Sequence, residues 1–111
     1  MENFAVIDLG SNSARMTITQ IDDDGTYSTV KQMKEYVRLS ENMGEKKVLQ
    51  PEAIQRTMNA LHEFKDVYSK LNNVHLKAVA TAATRQASNQ KKFLKRVETE
   101  LDIKLDVLPG T

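Results

Sequence analysis

The chain has 111 residues, of which 40% are hydrophobic and 28% are charged. This length fits one domain with a real core, and the composition excludes a disordered tail or a collagen-like fibre. The formal net charge is only +1, so bulk charge gives no support to nucleic-acid binding. The apolar runs fall far short of the roughly 18 residues of a membrane span.

The chemistry of metals and thiols is restricted by the composition. The chain has no cysteine, which excludes disulfides, thiolate metal sites and cysteine nucleophiles. The two histidines, His62 and His75, stand alone and do not suggest a multi-histidine metal site. The residues after Met1 lack the positive region of a signal peptide, so we expect a cytoplasmic protein with no membrane partner.

The first part of the chain has the pattern of a β-meander. The apolar run Phe4–Leu9 predicts a buried strand, and residues 16–21 predict a second strand. Asp24 and Gly25 form one of the strongest hairpin signals. Residues 27–38 then predict a third strand, in which Val30 and Val37 would point inward.

Helices and strands alternate after this meander. Pro51 followed by Glu52 is a helix start, and the apolar period predicts a helix over residues 51–70. Residues 74–80 predict a fourth strand.

The last part of the chain repeats this alternation. Residues 82–87 predict one helical turn, and Ser88 or Asn89 would cap a second long helix. That helix would end at Asp102, and residues 103–107 predict a fifth strand.

The resulting element order is β-β-β-α-β-α-β, which is an α/β fold. Crossovers through helices favour parallel pairing of the later strands, so we expect one mixed five-stranded sheet with its helices on one face. The other face would then expose apolar side chains and promote self-association of the chain. The apolar candidates for the two faces are Ala5, Ile7, Met16, Ile18, Val79 and Leu105.

The turn after the first strand is the leading candidate for chemistry. Gly10 would allow close backbone approach and unusual dihedrals, and Ser11, Asn12 and Ser13 would add hydrogen-bond donors for a phosphate. Asp8, at the strand end, could hold a hydrated Mg²⁺ beside that phosphate. The alternative is a hairpin turn that merely uses turn residues.

Arginines supply the second group of candidates. Arg85 follows the carboxyl end of the fourth strand, where ligands gather in open α/β sheets, and its guanidinium could clamp a phosphate. Arg15 could face the same cleft or the solvent. Arg38 is more easily read as a surface charge, and a solvated surface position is also the alternative for Arg85.

Taken together, these residues resemble a known family. Residues 5–13, which read AVIDLGSNS, are similar to the opening motif of the exopolyphosphatase and guanosine pentaphosphate phosphohydrolase family. Residues 80–87, ATAATRQA, match the signature of its fourth strand. The segments 37–54 and 93–108 agree with the same family in order, so the resemblance covers essentially the whole chain.

The resemblance implies a ribonuclease-H-like half-domain, with residues 1–111 forming the N-terminal lobe of a larger, homodimeric phosphohydrolase. It implies that residues 8–13 and Arg85 bind phosphate with Mg²⁺ as cofactor, and that the substrate is polyphosphate or guanosine pentaphosphate. The family's general base is a glutamate in a stretch after the fifth strand. That stretch lies past Thr111, so we expect the 111-residue chain to bind phosphate weakly and to catalyse nothing.

Two other functions remain open at the level of the sequence. The same loop occurs in sugar and acid kinases of the wider actin, hexokinase and Hsp70 superfamily, where it binds ATP. A non-catalytic nucleotide-sensing module is the second alternative.

Overall fold

The computed structural model describes residues 1–110 and confirms the mixed five-stranded sheet. The strand order is β3-β2-β1-β4-β5; β1 pairs antiparallel with β2 and parallel with β4. The elements in chain order are β1 (Glu2–Leu9), β2 (Ala14–Ile21), β3 (Tyr27–Glu35), α1 (Pro51–Tyr68), β4 (Val74–Ala80), α2 (Ala82–Gln86), α3 (Gln90–Leu101) and β5 (Leu105–Val107).

The three parallel strands end together. Leu9 at the end of β1 is in register with Ala80 at the end of β4, and Ala80 is in register with Val107 at the end of β5. The segments that follow these three strands therefore leave the sheet at one edge, which is the position where open α/β sheets bind ligands.

The core lies on one side of the sheet. In β1, β2 and β4 every second residue faces the helices, as the two-residue period of a strand requires, and the apolar ones among them form one cluster with the apolar stripes of α1 and α3. Its largest fully buried members include Ile7, Leu9, Met16, Ile18, Leu61, Phe64, Phe93 and Val97.

The expectation of a bare apolar face is wrong, because five of the six apolar candidates for the two faces are buried under the helices. Ala5, Ile7, Met16 and Ile18 are at most 1% exposed and Leu105 is 7% exposed, all within the core cluster. The sheet alternation puts these residues on the helix side. Of the six, Val79 has the opposite orientation.

The side of the sheet away from the helices, called the open face below, is mostly polar. His75 pairs with Glu2 at 3.2 Å, and its ring stacks on Phe4 with centroids 4.8 Å apart. Lys77 pairs with Asp106, and the hydrogen bond from the lysine holds the pKa of that carboxyl below its usual range. The contact between His75 and Glu2 and the ion pair between Lys77 and Asp106 thus lie on a face that was expected to expose apolar side chains.

The third strand differs from its prediction in two ways. It ends at Glu35, earlier than predicted, and Val30 is 48% exposed rather than inward. The register with β2 shifts opposite Thr19, leaving Val30 as the extra residue of a bulge. Val37 lies beyond the strand and is buried, as predicted.

The helix boundaries follow the sequence signals closely. Helix α1 starts at Pro51, and Asp102 ends α3 in the left-handed conformation. Asn89 occupies the N-cap position of α3, but its side chain does not cap the helix. It exchanges two hydrogen bonds with the backbone of Leu49 instead, at 2.9 and 3.1 Å. In residues 1–110, no helix is both long and apolar enough to cross a membrane.

The polar open face leads to an expectation about association. Five of the six candidate apolar residues are buried, and the edge strand β3 carries a bulge and two exposed lysines, Lys31 and Lys34. The open face and this edge therefore do not favour pairing between copies. We expect sedimentation velocity at tens of micromolar to give a monomer. A concentration-dependent dimer would show that the open face or a strand edge is adhesive despite its charges.

Candidate functional site

The loop of residues 10–13, between β1 and β2, is held from one side by residues 37–41, called the strap below. The amide of Arg38 donates to the carbonyl of Asn12 at 2.9 Å, and the amide of Ser40 donates to the carbonyl of Ser11 at 3.1 Å. Within the loop, the amide of Gly10 donates to the carbonyl of Ser13 at 3.0 Å. The carbonyls of the loop are therefore fixed by the strap and by the loop itself.

These bonds also set the direction of the loop amides. All described peptide bonds are trans, so each N–H points opposite to the carbonyl of the same peptide group. The carbonyls of Ser11 and Asn12 face the strap, and the amides of Asn12 and Ser13 consequently face away from it. Within residues 1–110, the amides of Ser11, Asn12 and Ser13 donate to no protein acceptor. Successive free N–H groups of this kind can bind an anion.

Gly10 has an ordinary backbone conformation. Its φ is not in the left-handed region, in contrast to Gly25 and Gly44, so the expectation of unusual dihedrals is wrong. A Cβ on Gly10 would lie 3.4 Å from the carbonyl oxygen of Ser13. This distance is at the short end of ordinary van der Waals contact, so a Cβ would fit here, and the expected close approach of a phosphate to Gly10 stays a prediction.

Asp8 and Arg15 are direct cross-strand neighbours on the open face, at the end where the loop begins. Both are exposed, and within the described residues the Asp8 carboxylate has no hydrogen-bond or ion-pair partner. No group of three or more metal-ligating side chains occurs in residues 1–110. A single free carboxylate can bind a Mg²⁺ ion that keeps most of its water ligands and is also coordinated by substrate phosphates. It is not enough for a site in which the protein supplies all the ligands.

Arg85 lies at the same edge of the sheet, in the segment that follows β4. The amide of Thr81 donates to the carbonyl of Leu9 at 3.0 Å, which joins this segment to the end of β1. The guanidinium of Arg85 donates to the carbonyl of Leu108 at 3.1 Å and lies against Gly110. Leu108 follows β5, two strands away from β1, which corresponds to about 10 Å at the usual strand spacing.

Arg38 has a different place from the one expected at a strand end. It lies in the strap with φ of 45°, and its exposed side chain is 3.8 Å from Glu41. Its backbone, rather than its charge, contacts the loop.

Known proteins with a similar sequence and fold identify the family of this chain. The profile of the Ppx/GppA phosphatase family matches residues 17–111. The chain belongs to this family. Solved structures agree: the Ppx/GppA family member of Aquifex aeolicus superposes with a TM-score of 0.90 at 36% identity, over 96% of this chain and 35% of that chain. An exopolyphosphatase of Cytophaga hutchinsonii gives 0.91 at 29% identity, over 98% and 35%.

Curated relatives of the Ppx/GppA chain show the same partial coverage. It is 35% identical to a guanosine-5'-triphosphate,3'-diphosphate pyrophosphatase of Photobacterium profundum, over 96% of this chain and 21% of that protein. It is 33% identical to a bifunctional 3-dehydroquinate synthase/phosphatase of Fusobacterium nucleatum, over 96% and 17%. The chain thus spans about a fifth of the length of these relatives and about a third of the related structures.

A more distant likeness supports the fold alone. MamK, solved with AMPPNP, superposes with a TM-score of 0.51 at 16% identity. This agrees with the actin-like, ribonuclease-H-like half-domain implied by the sequence.

Two features near the site were missed by sequence reasoning. The strap lies in a segment that resembles the family, but its contacts to the loop come from backbone atoms and are therefore not visible in its residues. Thr84, next to Arg85, is fully buried, and its hydroxyl has no hydrogen-bond partner among the described residues. A buried threonine beside small residues looks like an ordinary helix residue in the sequence.

The unpartnered hydroxyl leads to a stability prediction. Thr84→Val keeps the shape and removes the buried hydroxyl, so the free energy of unfolding should stay equal or rise by up to about 1 kcal/mol. Thr57→Val is the matched control: Thr57 is equally buried, but its hydroxyl donates to the carbonyl of Ala53 at 2.9 Å, and its loss should cost about 1 kcal/mol. Urea unfolding measures both. A loss at Thr84 as large as that at Thr57 would show that the Thr84 hydroxyl has a partner.

Proposed function

We propose that this Ppx/GppA chain is the N-terminal phosphate-binding lobe of a phosphohydrolase that cleaves terminal phosphoanhydride bonds. The observation that carries the proposal is the pair of free amides, those of Asn12 and Ser13, at the sheet edge that also carries Arg85. The names of the relatives point to polyphosphate or guanosine pentaphosphate as the substrate class. Both carry a run of linked phosphates.

In this proposal the loop binds the phosphate that is cleaved. The amides of Ser11, Asn12 and Ser13 donate to its oxygens, and the hydroxyls of the two serines add further donors. Backbone donors fixed before the substrate arrives stabilise developing negative charge without reorganising. The bonds from the strap supply that fixed geometry for the amides of Asn12 and Ser13.

Arg85 binds a more distant part of the same substrate. Its guanidinium contacts Leu108, which follows β5, and β5 lies about 10 Å from β1 at the usual strand spacing. A single phosphate bound at the loop would therefore be too small to reach the arginine as well. A chain of several phosphates running from β1 toward β5 fits this separation better. Arg15, on the open face beside the loop, contributes positive charge to the same run.

Mg²⁺ is the cofactor of the proposal, and Asp8 is the residue that would hold it, through bound water. When bound, the ion neutralises charge on the phosphate oxygens. Asp8 fits this task because its carboxylate is exposed at the loop and makes no competing ion pair within residues 1–110. Arg15 opposite it balances the negative charge of the strand end.

The chain alone is proposed to bind substrate without hydrolysing it. The resemblance assigns the general base to a glutamate outside this sequence, and positioning without a base leaves water unactivated. The family match favours this hydrolase over the kinase and the sensing module considered from the sequence.

The separation of Arg85 from the loop gives the test. Arg85→Ala should weaken binding of tetrapolyphosphate about 10- to 100-fold, the usual effect of losing a charged hydrogen bond, and should change binding of orthophosphate by less than about twofold. Calorimetry with Mg²⁺ measures both ligands. Arg96→Ala, which removes an arginine that contacts Glu100 and Gln55 instead, should change neither.

Two results would contradict the proposal. Equal losses for orthophosphate and tetrapolyphosphate would place Arg85 at the loop phosphate. No loss for either would remove Arg85 from the site.

A further inference from the structure

Arg56, in the second turn of α1, contacts the strap with three hydrogen bonds. Its Nε donates to the carbonyl of Val37 at 2.9 Å, and its Nη2 donates to the carbonyl of Arg38 at 3.2 Å. The same Nη2 donates to the Glu41 carboxylate at 3.0 Å. The side chain is 28% exposed, so these bonds are partly shielded from water.

The strap is anchored in the core by Val37 and Leu39, which are at most 1% exposed, and two of its backbone carbonyls accept hydrogen bonds from Arg56. It begins after the end of β3, so it lacks the ladder of a strand, and Arg38 has a left-handed backbone that costs energy for a residue other than glycine. Within the described residues, no other side chain donates to the strap backbone. Arg56 therefore links the strap to the rigid helix.

The strap in turn determines which way the loop amides point. The amides of Arg38 and Ser40 bind the carbonyls of Asn12 and Ser11, and those carbonyls fix the opposite direction of the amides of Ser13 and Asn12. A continuous path of hydrogen bonds thus runs from α1 through Arg56 to the free N–H groups.

We propose that Arg56 is a positioning residue for phosphate binding, which holds the loop in its anion-binding form without touching the substrate. This inference rests on the proposed function, since it assumes that the loop binds phosphate. It adds a residue whose side chain faces the strap rather than the sheet edge.

The chemistry requires an arginine at this position. The guanidinium has donors in a fixed fork and reaches two carbonyls and a carboxylate at once, whereas a lysine ammonium has a single flexible head. Glu41 balances the charge of Arg56 on the exposed side. Arg56→Lys should therefore restore only part of what Arg56→Ala removes.

The experiment uses the 111-residue chain and two NMR measurements. Hydrogen exchange reports on the amides of Arg38 and Ser40 without ligand, and titration with Mg²⁺ and tripolyphosphate reports on the amides of Ser11, Asn12 and Ser13. In Arg56→Ala, exchange at Arg38 and Ser40 should be at least about tenfold faster. The dissociation constant for tripolyphosphate should rise about tenfold, and Arg56→Lys should lie between.

Arg96→Ala is the matched control, because Arg96 also leaves its helix to bond a carboxylate and a second acceptor but does not contact the strap. It should leave exchange at Arg38 and Ser40 and the tripolyphosphate affinity unchanged. Exchange of the α1 amides, expected to stay slow in every variant, shows that the helix remains folded.

The outcomes separate the two proposals. If tripolyphosphate shifts no loop amide in the wild-type chain, the phosphate site itself is wrong, and the inference about Arg56 is overturned with it. If the wild-type chain binds and Arg56→Ala binds equally well, or keeps slow exchange at Arg38 and Ser40, the role of Arg56 alone is overturned.

Discussion

The hydrogen bonds from the strap to the loop are the constraint on which the site depends. Two backbone amides, those of Arg38 and Ser40, hold two loop carbonyls, and planar trans peptides convert this into a fixed direction for the opposite N–H groups. The charge of a side chain is not needed for this step. If the carbonyls of the same loop had no hydrogen bonds, each peptide group could rotate and present either its N–H or its C=O to an anion.

The sheet aligns the ends of the strands from which the proposed site is built. Because β1, β4 and β5 are parallel and end in register, the loop, the segment of Arg85 and the chain after β5 leave one edge. The helices pack on one face, and the other face carries Asp8 and Arg15 beside the loop. The elements of the proposed phosphate site thus come from segments far apart in the sequence, brought together by crossovers through α1 and α3.

The parts of the molecule governed by local signals could be predicted from the sequence. The apolar run of β1, the start of α1 at Pro51 and the turn at Gly25 each depend on a few neighbouring residues. Residues 8–13 stood out as a candidate for the same reason, although a glycine and short polar residues after a strand are also typical of an ordinary hairpin turn.

The remaining features depend on residues that are distant in the chain, and the sequence does not show which of them come into contact. Val30 is exposed because it lies in a bulge, and a bulge can be predicted only when the register between β2 and β3 is known. Ile7 and Met16 were assigned to neither face with certainty, since an apolar strand residue does not state which side the helices cover. Arg56 was not singled out from the sequence, because two of its three acceptors are backbone carbonyls of a segment distant in the chain.

The most direct test of the account is a crystal structure of the chain with Mg²⁺ and tripolyphosphate. The account predicts phosphate oxygens within hydrogen-bond distance, about 3 Å, of the amide nitrogens of Asn12 and Ser13. The carbonyls of those peptide groups should still face the strap, and the phosphate chain should extend toward Arg85. An anion bound elsewhere, or a loop whose carbonyls have turned away from Arg38 and Ser40, would contradict it.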